Sequence, residues 1–367
     1  MRILHLLPNL SGGGAERQFS YLAPMLSSMG HEVHVAYLYD GPQRPDLRNV
    51  FLNQLKSKGN HDPYLLWQLI RLIRRIKPDI VQTWITQMDI LGGIAARITG
   101  VPWILREPST AMAYPPTWKN RLRILIGSSA NSIVSNSLCG KNYWENQRPH
   151  CKSQIIQNGV PLYEIDQEVA NLPSRVPEQD CQIVLCAGRL ESGISGRKNM
   201  ANLLEALVYI KQRLNILGVI CGEGSKQNEL KKLAHKLGVV GSLLFTGHLS
   251  AKSLWALMKK AAVFVSLSAY EGCPNTVLEA MASGCPIVVS DIPAHRGILD
   301  ESSALFVDPW DTPQAANAIM YALLNKEESK GRALAARNRV KKYTVKKMAT
   351  EYEKIYKSIL AQRLQQY

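Results

Sequence analysis

Two carboxylates, Glu271 and Glu279, stand eight positions apart in the stretch YEGCPNTVLEA. A pair of acids can divide general acid and general base work. Eight residues is nevertheless a poor spacing for one helix face, where neighbours recur at three and four. Between the two, Pro274 suits the first turn of a helix, whose early N–H groups lack internal partners. Glu271 then belongs to a loop and Glu279 to the helix, about one turn in. Asn275 and Thr276 open that helix and present N–H groups that can meet an anion. The pair reads as a clamp on an elongated ligand, with an anion held between its two ends.

Cations able to share such an anion occur upstream. In LCAGRLESGISGRKN, Arg189 ends an apolar strand and Lys198 starts the next helix. Arg grips phosphate as a bidentate fork and Lys as a compact charge. Two solvated cations beside a loop are the alternative. GEGSKQNEL repeats the arrangement from Gly222, where a plain strand-to-helix turn is equally open. Near the start, LSGGGAERQ sets Gly13 and Gly14 between a strand and a helix. Backbone N–H groups and a helix dipole can meet an anion there. Neither G-x-G-x-x-G nor G-K-[ST] follows, so a mere tight turn remains the other reading.

The elements around these residues alternate. RILHLLP, HEVHVAYLY, DIVQTW, PWILRE, NSIVSNS and IIQNGVP read as strands, with helices such as GAERQFSYLAPMLSSMG, closed by Gly30,. LPSRVPEQD, with two prolines and few apolar residues, reads as a linker. Alternation then restarts with CQIVLCAGRL, NILGVICGEG, VGSLLFTGHL, AVFVSLS and CPIVVSD as strands, and long helical segments close the chain. Strand–helix alternation argues for parallel sheets with crossover helices, in an α/β chain of two doubly wound domains. The expected division is 1–171, a linker at 172–180, 181–345, and a C-terminal helix at 346–367. Ligands of such sheets bind beyond the carboxyl ends of the strands, so two facing sheets imply a cleft for two substrates.

Composition narrows the class. The 367 residues are long for one core, and no apolar run approaches the roughly 20 residues of a membrane-spanning helix,. The opening MRILHLLPNLSGGG is too short in its apolar part, and too poor in basic residues, for a signal peptide. Seven dispersed cysteines, without a C-x-x-C pair, fit reduced thiols in a cytoplasmic protein and no metal cluster,. The net charge is +15, and residues 326–367 carry 12 Lys/Arg against 4 Asp/Glu. In YLLWQLIRLIRRIKPD an apolar face opposes Arg71, Arg74, Arg75 and Lys77. Such a helix can lie on an anionic membrane surface, or simply pack its stripe on a sheet. No nucleic-acid module accompanies the charge.

EGCPNTVLE resembles the E-x7-E motif of the retaining GT-B glycosyltransferases of group 1, family 4. GGGAER, IIQNGV, AGRL…KN, CGEG, FTGHL and EAMASGCPIVVSD resemble that family's landmarks in order, over nearly the whole chain. The resemblance implies two Rossmann-like domains facing a cleft, with an N-terminal acceptor-binding domain, a C-terminal nucleotide-sugar-binding domain and a last helix crossing back. It implies transfer of a hexosyl or N-acetylhexosaminyl group from a UDP- or GDP-sugar to a glycan or lipid-linked oligosaccharide, in surface polysaccharide or lipopolysaccharide synthesis. On the matching positions, Arg189 and Lys198 hold the diphosphate and Glu271 contacts the transferred sugar; these three are the catalytic candidates. Glu279 holds the ribose, Gly13 and Gly14 approach the phosphates, and Asn275 and Thr276 assist. Gly222, Gly247 and His248 line the donor, with the base near FTGHL. No cofactor or metal is implied, and no D-x-D motif is present. A peripheral position at the inner membrane face fits the basic helices.

Two departures stand out. The gap between Arg189 and Lys198 is long for the family, because ESGISGR intervenes, which keeps Arg197 in contention. Members also commonly place a histidine at the end of an N-terminal strand; here VQTW and ILREPS have none, and Arg106 or Glu107 are the candidates to fill that space. A nucleotide-sugar 2-epimerase-like enzyme and a non-catalytic nucleotide-sugar-binding protein are the alternative functions.

Overall fold

The computed structural model describes all residues except 11–12, 42–44, 58, 60–61, 151, 175, 177–179, 191–195 and 366–367. The chain divides into two units, Met1–Gly159 with Tyr343–Tyr367, and Val160–Lys342.

Unit 1 holds strands β1 (Arg2–Leu6), β2 (Glu32–Tyr37), β3 (Val50–Gln54), β4 (Ile80–Trp84), β5 (Trp103–Glu107), β6 (Ser132–Ser135) and β7 (Ser153–Ile155). Their helices are α1 (Gly14–Ser28), α2 (Pro63–Ile76), α3 (Thr86–Thr99), α4 (Trp118–Gly127) and α5 (Leu138–Gln147). The strands form one parallel sheet in the order β3-β2-β1-β4-β5-β6-β7. Every residue of β4 and β5 is buried, as a sheet covered on both faces requires,. β3, which the alternation pattern does not reveal, is the edge strand, and its Phe51 is 57% exposed.

Unit 2 begins with α6 (Leu162–Gln167) and continues through β8 (Gln182–Ala187), α7 (Met200–Lys211), β9 (Ile216–Cys221), α8 (Gln227–Lys236), β10 (Leu243–Gly247) and α9 (Ala251–Lys260). It ends with β11 (Val263–Ser266), α10 (Asn275–Ala282), β12 (Ile287–Ser290), α11 (Pro293–Arg296), β13 (Leu305–Val307), α12 (Thr312–Leu324) and α13 (Lys326–Val340). The sheet order is β10-β9-β8-β11-β12-β13, again parallel. The last helix, α14 (Val345–Leu364), returns to unit 1. Its Met348, Tyr352, Tyr356 and Ile359 join Phe19 and Leu22 of α1 in one apolar cluster over the sheet.

The division falls ahead of the expected boundary at 171. α6 is tied to unit 2 by its own contacts: Asp166 pairs with Arg337 at 2.6 Å, and Lys259 Nζ donates to the Glu168 carbonyl at 2.6 Å. Gly159 closes unit 1. Gln18 accepts from its N–H at 2.8 Å and donates to its carbonyl at 3.0 Å, and a Cβ here would lie 2.8 Å from Val345 Cα. Glycine is required because the backbone meets the first turn of α14 at closest approach.

The basic helix α2 follows the packing reading. Asp62 caps it by accepting from the Tyr64 N–H, and Lys77 ends it in a left-handed conformation,. Leu65, Leu69, Leu72, Ile73 and Ile76 are buried, whereas Tyr64, Trp67, Arg71, Arg74 and Arg75 face outward. Among the described residues no helix is long and apolar enough to cross a membrane.

Candidate functional site

In unit 2 the strand order reverses between β8 and β11, and in doubly wound sheets ligands bind beyond the strand ends at such a point,. The loops beyond those two strands carry Arg189 and Glu271. Glu271 is 3% exposed, and both of its oxygens are engaged. Lys198 Nζ donates to Oε1 at 2.6 Å, Ser268 Oγ donates to Oε1 at 2.9 Å, and the Arg197 guanidinium pairs with Oε2. Burial works against the charged carboxylate, but Lys198 and Arg197 outweigh it and hold the carboxyl down at about 2,. Lys198 and Arg197, the two candidates for the phosphate, both meet this acid. Arg197 also lies 5.8 Å from the Tyr270 ring centroid. The inserted residues 191–195 lie outside the described residues.

The glycines of AGRL, CGEG and FTGHL come together. The Lys198 stem crosses Gly188 so closely that a Cβ there would lie 3.0 Å from Lys198 Cε. At Gly222, φ is +136°, and a Cβ would lie 2.0 Å from the Gly188 carbonyl oxygen. The Gly188 N–H donates to the Cys221 carbonyl and the Gly222 N–H to the Gly247 carbonyl, each at 2.9 Å. Glu223 Oε1 accepts from the His248 N–H at 3.1 Å. The tips of β8, β9 and β10 are thus clasped side by side, and side chains there would part them. Arg189 is exposed on the loop just beyond this clasp.

α10 begins after Pro274, with Asn275 and Thr276 as its first residues. Pro274 supplies no N–H, and its side chain caps nothing, so the first turn keeps its positive end toward the loop,. Glu279 is 2% exposed within the helix. The acids therefore divide as the spacing requires, one on a loop and one on a helix.

Three further residues carry weight here that the motif reading does not single out. Ser290 Oγ, at the end of β12, donates to the Ser268 carbonyl at 2.5 Å. His295 is fully buried, with Nδ1 at 2.8 Å from the Ser290 carbonyl. The S-x-x-E spacing of Ser268 and Glu271 is the only sequence signal for this group; Ser290 and His295 have none, because adjacency of β11 and β12 alone brings them near.

Unit 1 places the remaining candidates. Gly13 is extended at the start of α1, and its carbonyl accepts from the Arg17 N–H at 3.0 Å; Gly14 is the first helical residue. The sheet reverses between β1 and β4, and just beyond β4 Ile85 holds φ +71°, a strained conformation for a β-branched residue,.

Arg106 and Glu107 point to opposite faces of β5, as successive strand residues must. Arg106 is 1% exposed; it donates to Tyr352 Oη at 2.6 Å, to the Ile156 carbonyl at 3.1 Å and to Asn158 Oδ1 at 2.5 Å. It is a structural tie to α14. Glu107, fully buried on the other face, accepts from the Ser109 N–H, Tyr114 Oη and Trp144 Nε1 at 2.6–2.9 Å. Arg123 joins it at 2.9 Å and also pairs with Asp89 at 2.7 Å. One cation thus serves two buried acids, and burial, outweighing Arg123, pushes Asp89 up to about 6. Arg106 and Glu107 are both committed to interior partners, which weakens either as the replacement for a reacting histidine.

Among the described residues no group of three or more His, Cys, Asp or Glu is arranged to hold a metal ion. Residues 12–164 match the family model described as Glycosyltransferase Family 4, and residues 172–345 match that of glycosyl transferases group 1. An uncharacterized glycosyltransferase of Methanocaldococcus jannaschii is 26% identical, over 81% of this chain and 82% of its own. The N-acetylgalactosamine-N,N'-diacetylbacillosaminyl-diphospho-undecaprenol 4-alpha-N-acetylgalactosaminyltransferase of Campylobacter jejuni is also 26% identical, over 77% and 79%. The crystal structure of Anabaena HepE in complex with UDP and glucose superposes with a TM-score of 0.86 at 17% identity, covering 98% of this chain and all of that one. With a family 4 domain, a group 1 domain and two Rossmann-like sheets, this chain belongs to the glycosyltransferases of the GT-B fold.

Proposed function

We propose that this protein is a retaining glycosyltransferase that moves a hexosyl or N-acetylhexosaminyl group from a UDP-sugar to a lipid-linked or growing polysaccharide acceptor. The observation that carries the reading is the Glu271–Lys198–Arg197 cluster at the strand reversal of unit 2, beside the first turn of α10. A departing nucleoside diphosphate gains negative charge as the sugar–oxygen bond breaks. Preorganised cations and helix N–H groups stabilise that charge without reorganising at the moment of reaction. Lys198 and Arg197 supply the cations, Arg189 adds another, and Asn275 and Thr276 supply the helix terminus. Glu279 accepts hydrogen bonds from the ribose hydroxyls, and Glu271 from hydroxyls of the transferred sugar. The Gly188–Gly222–Gly247 clasp, with His248, lies under the base.

In the transfer, the acceptor oxygen bonds to the anomeric carbon as the bond from that carbon to the diphosphate oxygen breaks. The acceptor's proton passes to the leaving phosphate on the same face, so configuration is retained. No resident metal takes part.

The UDP bound to the similarly folded HepE supports the choice of base. The undecaprenol-linked acceptor in the C. jejuni relative's name supports a lipid-linked acceptor. Peripheral contact with the inner membrane face follows from that acceptor. Because the apolar stripe of α2 is packed away, the contact uses its outward Tyr64, Trp67, Arg71, Arg74 and Arg75, together with Trp118, Lys119, Arg121 and Leu125 of α4.

Calorimetry with UDP, GDP and ADP tests the reading: UDP binds, with chelator present or absent, and the other two bind more weakly. If none of the three bound, the proposal would fall. Co-sedimentation with anionic vesicles, lost on changing Arg71, Arg74 and Arg75 to Glu, tests the membrane contact.

A further inference from the structure

We propose that His295, Ser290 and Ser268 form a positioning relay that presets the Glu271 carboxylate for the transferred sugar, distinct from the cations that serve the diphosphate. The inference rests on the reading of Glu271 as the sugar contact.

Glu271 sits on a loop, where no helix or strand fixes its side chain. Lys198 and Arg197 hold it by charge, but both reach it on long, rotatable stems. The rigid contact is Ser268, whose Oγ donates to Oε1 at 2.9 Å from only three residues away. Ser268 is in turn held from the neighbouring strand. Ser290 Oγ donates to its carbonyl at 2.5 Å, which fixes the backbone that carries the Ser268 hydroxyl. His295 completes the chain, with Nδ1 2.8 Å from the Ser290 carbonyl and 3.3 Å from Ser290 Oγ. A carbonyl only accepts, so the proton of the ring is on Nδ1 and Nε2 is left as a bare acceptor. That atom is buried and has no hydrogen-bond partner among the described residues.

Burial keeps the ring neutral, lowering it to about 4 against the opposing pull of the Ser290 carbonyl and of Glu271. A charged ring would place a buried N–H at Nε2 and set a third cation beside Lys198 and Arg197. The neutral form instead locks the end of β12 to α11 and, through two serines, to the loop beyond β11. Buried hydrogen-bond chains of this kind select one geometry, because each broken link leaves an unsatisfied group.

A relay that aims Glu271 at the sugar has a signature that simple structural support lacks. Its loss weakens binding of a nucleotide sugar while leaving the nucleoside diphosphate untouched. The test is calorimetry of the full-length protein with UDP and with UDP-glucose, UDP-galactose and UDP-N-acetylgalactosamine, using whichever sugar nucleotide binds tightest. Ser268→Ala and His295→Leu are expected to weaken the UDP-sugar by about tenfold with the UDP affinity unchanged, the size of one lost hydrogen bond to a charged group. His295→Asn, whose amide can donate to the Ser290 carbonyl, should restore most of the loss. Ser268→Ala removes one oxygen and keeps the test alive if His295→Leu does not fold.

Glu271→Gln separates the two ideas. If it lacks the sugar-specific loss, the reading of Glu271 itself fails. If it shows that loss while Ser268→Ala weakens UDP and UDP-sugar equally, or neither, the relay is overturned. Failure of His295→Asn to rescue a deficient His295→Leu overturns the role of the imidazole.

Discussion

Lys198 Nζ lies 2.6 Å from Glu271 Oε1, although 73 residues separate the two in the chain. The contact joins the turn ahead of α7 to the loop beyond β11 and makes the second cation, Arg197, part of the same cluster. A buried acid that loses one of two cations must protonate more readily. Glu271 at about 2, against an ordinary value of 4.5, stabilises the fold above about pH 4.5, and this contribution is lost as pH falls toward 2,. In Lys198→Met the carboxyl rises toward 4.5, so the acid limb of a stability-against-pH curve measured in urea should flatten, losing less stability between pH 4.5 and 2 than the unsubstituted protein does,, and UDP affinity should fall by about tenfold or more. An unchanged acid limb would mean that Arg197 alone holds the charge.

Asp89 behaves with the opposite sign. Burial raises it from 3.8 to about 6, over the opposition of Arg123 and Thr83. A raised folded-state value gives stability that is full below about pH 4 and lost as pH rises through 6. Asp89→Asn removes that titration. The stability of the variant relative to the unsubstituted protein should therefore improve by on the order of 3 kcal/mol between pH 4 and 7. Parallel pH profiles for the two proteins, measured by denaturant unfolding, would contradict the placement of the proton on Asp89.

The tie between Arg106 and Tyr352 can be cut with a single atom. Tyr352→Phe removes the oxygen that accepts from the fully buried guanidinium at 2.6 Å. The expected cost is about 1.5–3 kcal/mol, the range for a hydrogen bond to a charged group. Unfolding followed in urea gives the number directly; a change under about 0.5 kcal/mol would show that α14 is held by apolar packing alone.

Gly222→Ala tests the clasp under the proposed base. The added Cβ would sit 2.0 Å from the Gly188 carbonyl oxygen, at a φ of +136° that disfavours any side chain,. The strands must part, so both the melting temperature and the UDP affinity should drop. Gly238→Ala is the control, because φ is +66° there but no atom lies within 4 Å of the added carbon. Equal losses in the two variants would locate the effect in backbone strain and not in the clasp.

Much of the architecture is legible in local pattern. The strands buried along all or nearly all of their length, β1, β4, β5, β8, β9, β11 and β12, are recognisable as apolar-rich segments because both sheet faces are covered. β3 and β13 escape for the converse reason: they are edge strands, half exposed, and lack the run. The division of the chain at Gly159 also escapes, since a proline-rich stretch marks loop composition but not which helix packs on which sheet. α6 looks like a continuation of the first half, yet its ion pair with Arg337 and the Lys259 bond just beyond it bind it to the second.

For the candidate site, residue types and short spacings pointed to particular loops: an acid before Pro274 and an acid after it, glycines at strand ends, and cations flanking a strand–helix junction. Those features follow from local rules about helix starts and tight turns. The partners of each residue did not follow. Arg106 and Glu107 are adjacent in the chain yet act on opposite faces of β5, one toward Tyr352 and the other toward Arg123. Lys198 and Arg197 looked like rivals and share one carboxylate. Ser290 and His295 became visible only when the order β11-β12 set them beside Ser268. Local chemistry is carried by neighbours in sequence, but burial and pairing are decided by strand order, which brings together groups that no spacing rule connects.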